Sequence, residues 1–415
     1  ADATAYYSSA EMVFEPALRN KPVLIVGSGD GVVIALSPQA KRLGLKKFEP
    51  AFMQQDLIRK TGAVVRSANF ELYGELSKRM HSIIAEYGQN YPYSIDESFC
   101  RLPIDGTADC WAIGRSIRRR LWEELRIPVC VGFGRTLTLA KAANHASKRL
   151  PGFRGVAVIN SEDERKHILA SMECTDVWGI GSRIGHRLKL FNISNALSLA
   201  NANLKDMKGA FNVNVANTVE ELNGIERLFW DDVRKPKQQI FSTRSVSRPI
   251  QTLDTLTRVL SSHALNVCRK AREQKSLIVQ MVVFARTSPF RQEASVGLSS
   301  VITFVSPTSC YKKVANAVRV HVESMYRTGH DFVKIGAGAI TLVDEAHSIS
   351  DLFDEQQDDI GTSSVMDIVN QRFGRGTVML AAALNTDPAT HLVSRNQLSP
   401  PYLTSWNHLP VIRCK

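Results

Sequence analysis

The sequence contains no apolar run long enough to cross a membrane. Its longest apolar runs are the length of a β-strand, such as Val23–Val26, whereas a membrane-spanning helix needs about 20 apolar residues. No basic segment followed by an apolar stretch opens the chain, so no secretory signal is predicted. The seven cysteines are scattered and include no Cys-x-x-Cys pair, which argues against a disulfide framework and a structural zinc site. Extracellular, membrane and zinc-stabilised proteins are therefore disfavoured, and a cytoplasmic location is expected.

Acidic residues are scarce relative to basic ones. The chain carries 52 Lys and Arg against 40 Asp and Glu, a formal net charge of +12. Residues 234–291 contain 12 basic and 2 acidic residues, whereas residues 344–359 contain 7 acidic residues and no Lys or Arg. A basic block inside a folded chain indicates a polyanionic partner such as nucleic acid. A generally basic, solvated surface is the alternative.

Hydrophobic spacing predicts an α+β multidomain chain. Strands and helices alternate up to about residue 160, and residues 161–232 are predicted to be helical. Residues 240–342 follow the order βαββαβ of a split βαβ unit. The predicted helices outside the 161–232 segment include residues 70–87, 111–125, 136–149, 253–271 and 310–326.

Two short motifs near the N-terminus have local interpretations. The GSGDG segment at 27–31 lies between two β-rich segments. A dinucleotide fingerprint would need a helix directly after the glycines, so a tight β-hairpin is favoured. Ser8 and Glu11 have the spacing of an S-x-x-E capping box, which predicts that a helix starts near Ser9.

Asp96 and Glu97 are adjacent carboxylates in a β-rich segment. In a strand they would point to opposite faces unless they lie at the tip of a hairpin, and burying them is costly without a cation. Asp2, in the first predicted strand, is a third such carboxylate. Three carboxylates at strand ends could hold two Mg²⁺ ions, which activate a 3′-hydroxyl and stabilise a leaving pyrophosphate. The alternative is a turn with solvated acids and an unrelated Asp2.

The VWGIG segment at 177–181 precedes a predicted helix. The backbone N–H groups of such a turn, with the N-terminus of the following helix, can bind a DNA phosphate. Gly179 and Gly181 would provide the close backbone approach. A plain helix–helix turn is the alternative.

Together these segments resemble the Y-family translesion DNA polymerases, most closely the UmuC branch. The most specific matches are YSIDESF at 93–99 and VWGIG at 177–181. The other matches are Asp2–Tyr7 with Glu11, SANFELYGELS (67–77), TLAKAANHASK (138–148), RTSPF (286–290), GRGT (374–377) and LSPPY (398–402). They occur in order across nearly the whole chain.

The resemblance implies a right-hand polymerase fold with four domains and a C-terminal tail. The palm would be residues 1–18 and 70–160, the fingers 19–69, the helical thumb 161–232, the βαββαβ little finger 239–343, and the tail with a partner-binding segment 344–415.

The resemblance also implies residue roles. The catalytic carboxylates would be Asp2, Asp96 and Glu97, and the carbonyl of Ala3 would be a further metal ligand. Tyr7 would be the steric gate that excludes ribonucleotides. The nucleotide-binding residues would be Tyr6, Tyr7, Lys41 and Arg135; the DNA-binding residues Gly179, Gly181, Arg244, Arg248 and Arg286; and the clamp-binding residues Leu352 and Phe353.

The implied function is error-prone, DNA-directed DNA synthesis past lesions in the SOS DNA-damage response, with Mg²⁺ as cofactor. Primer–template DNA and dNTP would be bound, and the processed UmuD dimer, RecA and the sliding clamp would be partners. The alternative is a catalytically weakened, DNA-binding repair subunit of the same fold. A two-metal nuclease is a third candidate, but it would need neither a steric gate nor the VWGIG turn.

Several positions depart from the family pattern. Leu137 stands where the family has a lysine that reaches the triphosphate. Leu36 stands near an expected arginine, and Pro38 replaces a frequent tyrosine. Fewer cations are therefore expected around the nucleotide. The first strand is also shorter than in the family, so a trimmed chain is expected.

Overall fold

The computed structural model describes residues 1–103, 109–229, 236–289, 295–347, 360–374, 376–384, 395–400 and 402–403. Its contacts divide the chain into two compact units, residues 1–235 with 396–415 and residues 236–395. None of the helices in the described ranges is both long and apolar enough to span a membrane. The six cysteines within these ranges are unpaired.

Two three-stranded sheets and a hairpin organise the first unit. One sheet has the order β1-β7-β8, with β1 antiparallel and β8 parallel to β7. The other has the order β3-β2-β4, with β3 antiparallel and β4 parallel to β2. Strands β5 and β6 form the antiparallel hairpin. The strands are β1 (Asp2–Ala3), β2 (Val23–Val26), β3 (Val33–Leu36), β4 (Val64–Ser67), β5 (Gln89–Pro92), β6 (Ser98–Arg101), β7 (Val129–Phe133) and β8 (Val156–Val158).

Helices cover these sheets because their apolar residues recur at helical spacing and form one face. Helix α4 buries Leu72, Tyr73, Leu76, Met80 and Ile84 in the core around the first sheet. The helices of the first unit are α1 (Tyr6–Phe14), α2 (Pro38–Arg42), α3 (Gln55–Thr61), α4 (Phe70–Ala85), α5 (Cys110–Leu125), α6 (Leu137–Arg149), α7 (Glu162–Ala170), α8 (Ser182–Leu190), α9 (Ala196–Ala200), α10 (Leu204–Ala210) and α11 (Val213–Leu222).

The second unit is an antiparallel sheet of order β11-β10-β12-β9 packed against two helices. Two serine–histidine pairs connect sheet and helices: Ser242 Oγ lies 2.9 Å from His263 Nδ1, and Ser300 Oγ lies 2.8 Å from His321 Nδ1. The chain order confirms the predicted βαββαβ unit. Its elements are β9 (Ile240–Ile250), α12 (Leu253–Glu273), β10 (Ser276–Thr287), β11 (Gly297–Thr308), α13 (Tyr311–Met325) and β12 (Phe332–Asp344), and helix α14 (Ile360–Phe373) follows.

The two N-terminal motifs have different outcomes. The GSGDG segment joins antiparallel β2 and β3 through a short 3₁₀ turn, which confirms the hairpin. The capping-box prediction is wrong, because α1 starts at Tyr6 and no side chain caps its N-terminus. Ala5 has a left-handed φ of 48°, which turns the chain sharply from β1 into the helix. Ser8 and Glu11 are consequently buried inside α1.

Candidate active site

The tip of the β5–β6 hairpin brings Glu97 beside Asp2. The two residues form an antiparallel bridge, and the Ala3 N–H donates to the Asp96 carbonyl over 2.8 Å. On its other side, Asp2 pairs with Cys130 of β7. The adjacent carboxylates therefore lie at a hairpin tip, the geometry in which two neighbouring acids need not occupy opposite faces of a strand.

The carboxylates of Asp2 and Glu97 are largely buried and share a hydrogen bond. Burial, reinforced by that hydrogen bond, raises the pKa of Asp2 to about 7, against the opposing effect of Lys148. Burial also acts to raise the pKa of Glu97, but hydrogen bonds from Asp2 and Lys141 outweigh it and leave this pKa lowered. Burial therefore disfavours the ionised form of Asp2, and a cation nearby favours it.

Two lysines of α6 supply positive charge beside these carboxylates. Lys148 Nζ lies 2.5 Å from Asp2 Oδ2, and Lys141 Nζ donates to both Glu97 oxygens over 2.7 Å. Lysines seven positions apart lie on the same face of a helix, two turns from each other. Neither lysine was predicted as a site residue, although their spacing within TLAKAANHASK was an available sequence signal.

An aromatic cage surrounds the Lys141 ammonium. Its Nζ lies 4.8 Å from the ring centre of Tyr93 and 5.9 Å from those of Phe99 and Trp178. The Trp178 Nε1–H donates to the Tyr93 hydroxyl over 3.2 Å. Such cation–π contacts favour the charged lysine. Trp178, of the VWGIG segment, therefore reaches the surroundings of the carboxylate pair.

The donor set fits a hard divalent cation. Carboxylate oxygens are the ligands that Mg²⁺ and similar ions prefer, and the ammonium groups show that positive charge is accommodated at this position. Within the described ranges, however, no cluster of three or more His, Cys, Asp or Glu side chains is arranged to hold a metal. The Asp96 carboxylate instead accepts a hydrogen bond of 2.6 Å from Ser94 Oγ. The structure thus brings Asp2 and Glu97 together, with Asp96 adjacent through its backbone.

Tyr6 and Tyr7 have different environments. Tyr6 is only 3% exposed, and its hydroxyl donates to the Tyr73 carbonyl over 2.6 Å, so its ring is a core element and is not presented to a nucleotide. The Tyr7 ring is half-buried and stacks on Tyr73 at 4.7 Å, with Phe70 edge-on at 6.0 Å. Of the two tyrosines, only Tyr7 retains a partly exposed ring.

A cavity of about 1050 Å³ opens beside the carboxylate pair. Besides Asp2 and Glu97, its lining includes Lys141, Arg135 and Leu137. The Arg135 side chain is exposed, whereas Leu137 is half-buried as the first residue of α6. The cationic Arg135 and the apolar Leu137 therefore both lie at the N-terminus of α6.

The nucleotide-site positions predicted between residues 36 and 41 lie on the second sheet and on the helix that follows it. Lys41 is exposed on α2, and Pro38 is the first residue of that helix. Leu36 is only 5% exposed, in the small core beneath α2. Leu36 therefore contributes to packing and supplies no charged group.

The predicted DNA-binding residues lie in both units. Gly179 has a φ of +89°, a left-handed conformation that favours glycine, and Gly181 immediately precedes α8. In the second unit, Arg244 and Arg248 are exposed on β9, and Arg286 is exposed on β10. The predicted clamp-binding residues, Leu352 and Phe353, lie outside the described residues.

Comparison with protein families and curated proteins gives matches along most of the chain. Residues 1–145 match the impB/mucB/samB family, residues 237–352 its C-terminal domain, and residues 363–412 a domain of unknown function. The chain is 32% identical to Protein UmuC of Salmonella typhimurium, over 98% of each chain. It is 23% identical to DNA polymerase IV of Bacillus velezensis, over 93% of this chain and 92% of that protein.

Solved structures show the same fold. A Y-family DNA polymerase chimera of Dbh and Dpo4 superposes with a TM-score of 0.62 at 19% identity, covering 83% of this chain and 98% of the chimera. An insertion ternary complex of Dbh DNA polymerase gives a TM-score of 0.51 at 18% identity, with the same coverage. The expected α+β polymerase fold is thereby confirmed.

Proposed function

This chain belongs to the impB/mucB/samB family of Y-family DNA polymerases, and we propose that it extends primers past template lesions by nucleotidyl transfer at the site of Asp2 and Glu97. It is a DNA-directed DNA polymerase of the translesion type. The observation that carries the assignment of the site is the carboxylate pair at the hairpin tip, which lies beside the cavity and includes Asp2, five residues before Tyr7. The weakened-subunit alternative is not favoured, because relatives that match over more than nine-tenths of the chain include proteins named DNA polymerase.

We also propose the domain boundaries that the family resemblance implies. Residues 1–18 and 70–160 form the palm, residues 19–69 the fingers, residues 161–232 the thumb and residues 239–343 the little finger. The sheet β1-β7-β8 beneath the carboxylate pair supports the palm assignment, and helices α7 to α11 support that of the thumb.

The metal and the side chains of this protein would have separate roles in the reaction. Asp2 and Glu97, with Asp96 and the Ala3 carbonyl, would hold a divalent metal, for which we propose Mg²⁺. A bound metal would supply the positive charge that favours ionisation of the primer 3′-hydroxyl and departure of the pyrophosphate. Arg135 and Lys41 would bind the triphosphate through charge-assisted hydrogen bonds. Lys141 and Lys148 pair with Glu97 and Asp2 and so position the two carboxylates.

Primer extension on a lesion-bearing template tests the proposed function. We expect extension with dNTP and Mg²⁺ and none when the metal is chelated, while primer–template binding persists. Binding without extension, in the presence of both metal and dNTP, would instead identify a DNA-holding subunit.

Tyr7→Ala is expected to increase ribonucleotide incorporation relative to deoxyribonucleotide incorporation. The ring would otherwise lie against the sugar, where a 2′-hydroxyl must be accommodated. The measurement is the ratio of the two incorporation efficiencies opposite the same template base. An unchanged ratio would show that Tyr7 is only a packing residue.

DNA binding is expected to fall steeply with salt because the basic residues act on phosphates. Replacing Arg244, Arg248 and Arg286 together by Ala should reduce the slope of log affinity against log salt, by about 0.9 for each phosphate that the variant no longer neutralises. Arg319→Ala, an exposed arginine paired with Glu323 on α13, is the matched control. Equal slopes for the triple variant and wild type would exclude these arginines from the DNA surface.

We propose that the protein acts in the cytoplasm during the SOS response, with the processed UmuD dimer, RecA and the sliding clamp as partners. For the clamp, Leu352 and Phe353 are adjacent apolar residues in an acidic stretch, which suits insertion into a hydrophobic groove. The double variant Leu352→Ala/Phe353→Ala should lose capture on immobilised clamp. Capture equal to that of wild type would reject this anchor.

A further inference from the structure

The C-terminal residues described at 396–400 and 402–403, named here the docked tail, belong to the first unit and pack against its N-terminal part. Leu398 forms a parallel bridge with Ser67 at the end of β4. The Ser67 N–H donates to the Gln397 carbonyl over 3.0 Å, and the Gln397 N–H donates to Ser67 Oγ over 3.0 Å. The docked tail thus extends the second sheet in the way that an added strand extends a sheet edge.

Side chains from two sequence motifs secure the docked tail. The Asn396 N–H donates to Asp30 Oδ2, in the GSGDG turn, over 2.7 Å. Asn69 Nδ2, in the SANF segment, donates to Ser399 Oγ over 3.0 Å. Tyr402 stacks on Phe14 with ring centres 4.8 Å apart. Asp30 and Asn69 therefore help to hold the docked tail, a role that is separate from the proposed chemistry.

The docked tail also contacts a buried carboxyl. Glu11 is 1% exposed, and its Oε1 accepts hydrogen bonds from Ser399 Oγ over 3.3 Å and from the Tyr73 hydroxyl over 2.7 Å. Burial raises the pKa of Glu11, and these two hydrogen bonds oppose that effect. A buried polar group is costly unless it is hydrogen-bonded, so Ser399 and Tyr73 together stabilise Glu11 at this position.

Tyr73 connects this carboxyl to the proposed steric gate. Its hydroxyl is held by Glu11, and its ring, 0% exposed, stacks on the Tyr7 ring with an interplanar angle of 18°. A continuous series of contacts therefore runs from Ser399 through Glu11 and Tyr73 to Tyr7. The hydrogen bond to Glu11 holds the hydroxyl end of the Tyr73 ring in position, and with it the ring on which Tyr7 stacks.

We propose that Ser399 of the docked tail, acting through Glu11 and Tyr73, is a positioning residue for sugar selection by Tyr7. The inference rests on the proposed role of Tyr7 as the gate. Loss of the Ser399 hydroxyl leaves Glu11 with one donor fewer, which loosens the Tyr73 hydroxyl and then the stacked Tyr7 ring. The discrimination against ribonucleotides would thereby depend on a residue nearly four hundred positions away in the chain.

The test compares ribonucleotide with deoxyribonucleotide incorporation by the full chain. The variants are Ser399→Ala, Tyr73→Phe, Tyr7→Ala and the double variant Tyr7→Ala/Ser399→Ala. The control is Asn396→Ala, because exposed Asn396 bonds Asp30 through its backbone N–H, which the substitution preserves. Extension with dNTP and the melting temperature of each variant show whether the fold is retained.

Loss of one typical intramolecular hydrogen bond corresponds to about a threefold to tenfold effect, so Ser399→Ala and Tyr73→Phe should raise the ribonucleotide ratio by about that factor. Asn396→Ala should leave it unchanged, and the double variant should not exceed Tyr7→Ala alone.

If Tyr7→Ala raises the ratio while Ser399→Ala does not, the docked tail has no role in selection and the gate still stands. An additive double variant would show that Ser399 acts independently of Tyr7 and would also overturn the inference. If Tyr7→Ala itself changes nothing, the proposed gate fails and this inference fails with it.

Discussion

Glu97→Gln is expected to lower primer extension at least about a hundredfold, because metal-mediated charge stabilisation is worth several kcal/mol and each 1.4 kcal/mol corresponds to a factor of about ten. The substitution keeps the size of the side chain but removes the charge that faces Asp2 and Lys141. Primer–template binding should stay within a few-fold, since DNA affinity comes mainly from basic residues elsewhere. Extension at saturating dNTP and DNA binding by titration are the two measurements.

The matched control is Glu75→Gln, which removes an exposed carboxylate of α4 paired with Lys78 and Arg79. Surface pairs of this kind contribute little to stability, so extension should be unaffected. Wild-type extension by Glu97→Gln would reject the assigned site. Asp96→Ala should abolish extension as well if the side chain of Asp96 leaves Ser94 to bind metal; if this variant stays active, the site consists of Asp2 and Glu97 alone.

Leu137→Lys is expected to increase extension, chiefly at low nucleotide concentration. Leu137 begins α6 and lines the same cavity as the carboxylate pair, where a leucine offers neither charge nor donor. Charge-assisted hydrogen bonds contribute about 1.5–3 kcal/mol, so restoring one should improve nucleotide affinity or turnover by about 10- to 100-fold. The measurement is the KM for dNTP in single-nucleotide extension.

Leu137→Met, which changes shape without adding charge, is the control and should behave like wild type. If Leu137→Lys has no effect while Arg135→Ala cripples extension, the exposed Arg135 already makes the triphosphate contact. If none of these substitutions matters in an active enzyme, the N-terminus of α6 does not face the triphosphate.

Local sequence patterns were sufficient for the element order. Helix α4 was predicted over residues 70–87 and occurs at Phe70–Ala85, and helix α5 was predicted over residues 111–125 and occurs at Cys110–Leu125. Apolar periodicity is a local property, and burial of one face stabilises the predicted element whatever it packs against. The capping box failed because Ala5 adopts a left-handed conformation, and tertiary packing then buried Ser8 and Glu11 instead of placing them at a helix end.

The sequence by itself thus determined the class of the chain, its βαββαβ unit, the β-rich segment that carries Asp96 and Glu97, and the family to which its motifs belong. Only the tertiary structure decided which groups meet. Lys141 on Glu97, Trp178 beside Lys141 and Ser399 on Glu11, the last pair separated by 388 positions, are contacts between elements that no periodicity relates. Such pairs form because the packing of several elements places their side chains together, and a buried carboxyl such as Glu11 is stable only where that packing supplies its donors.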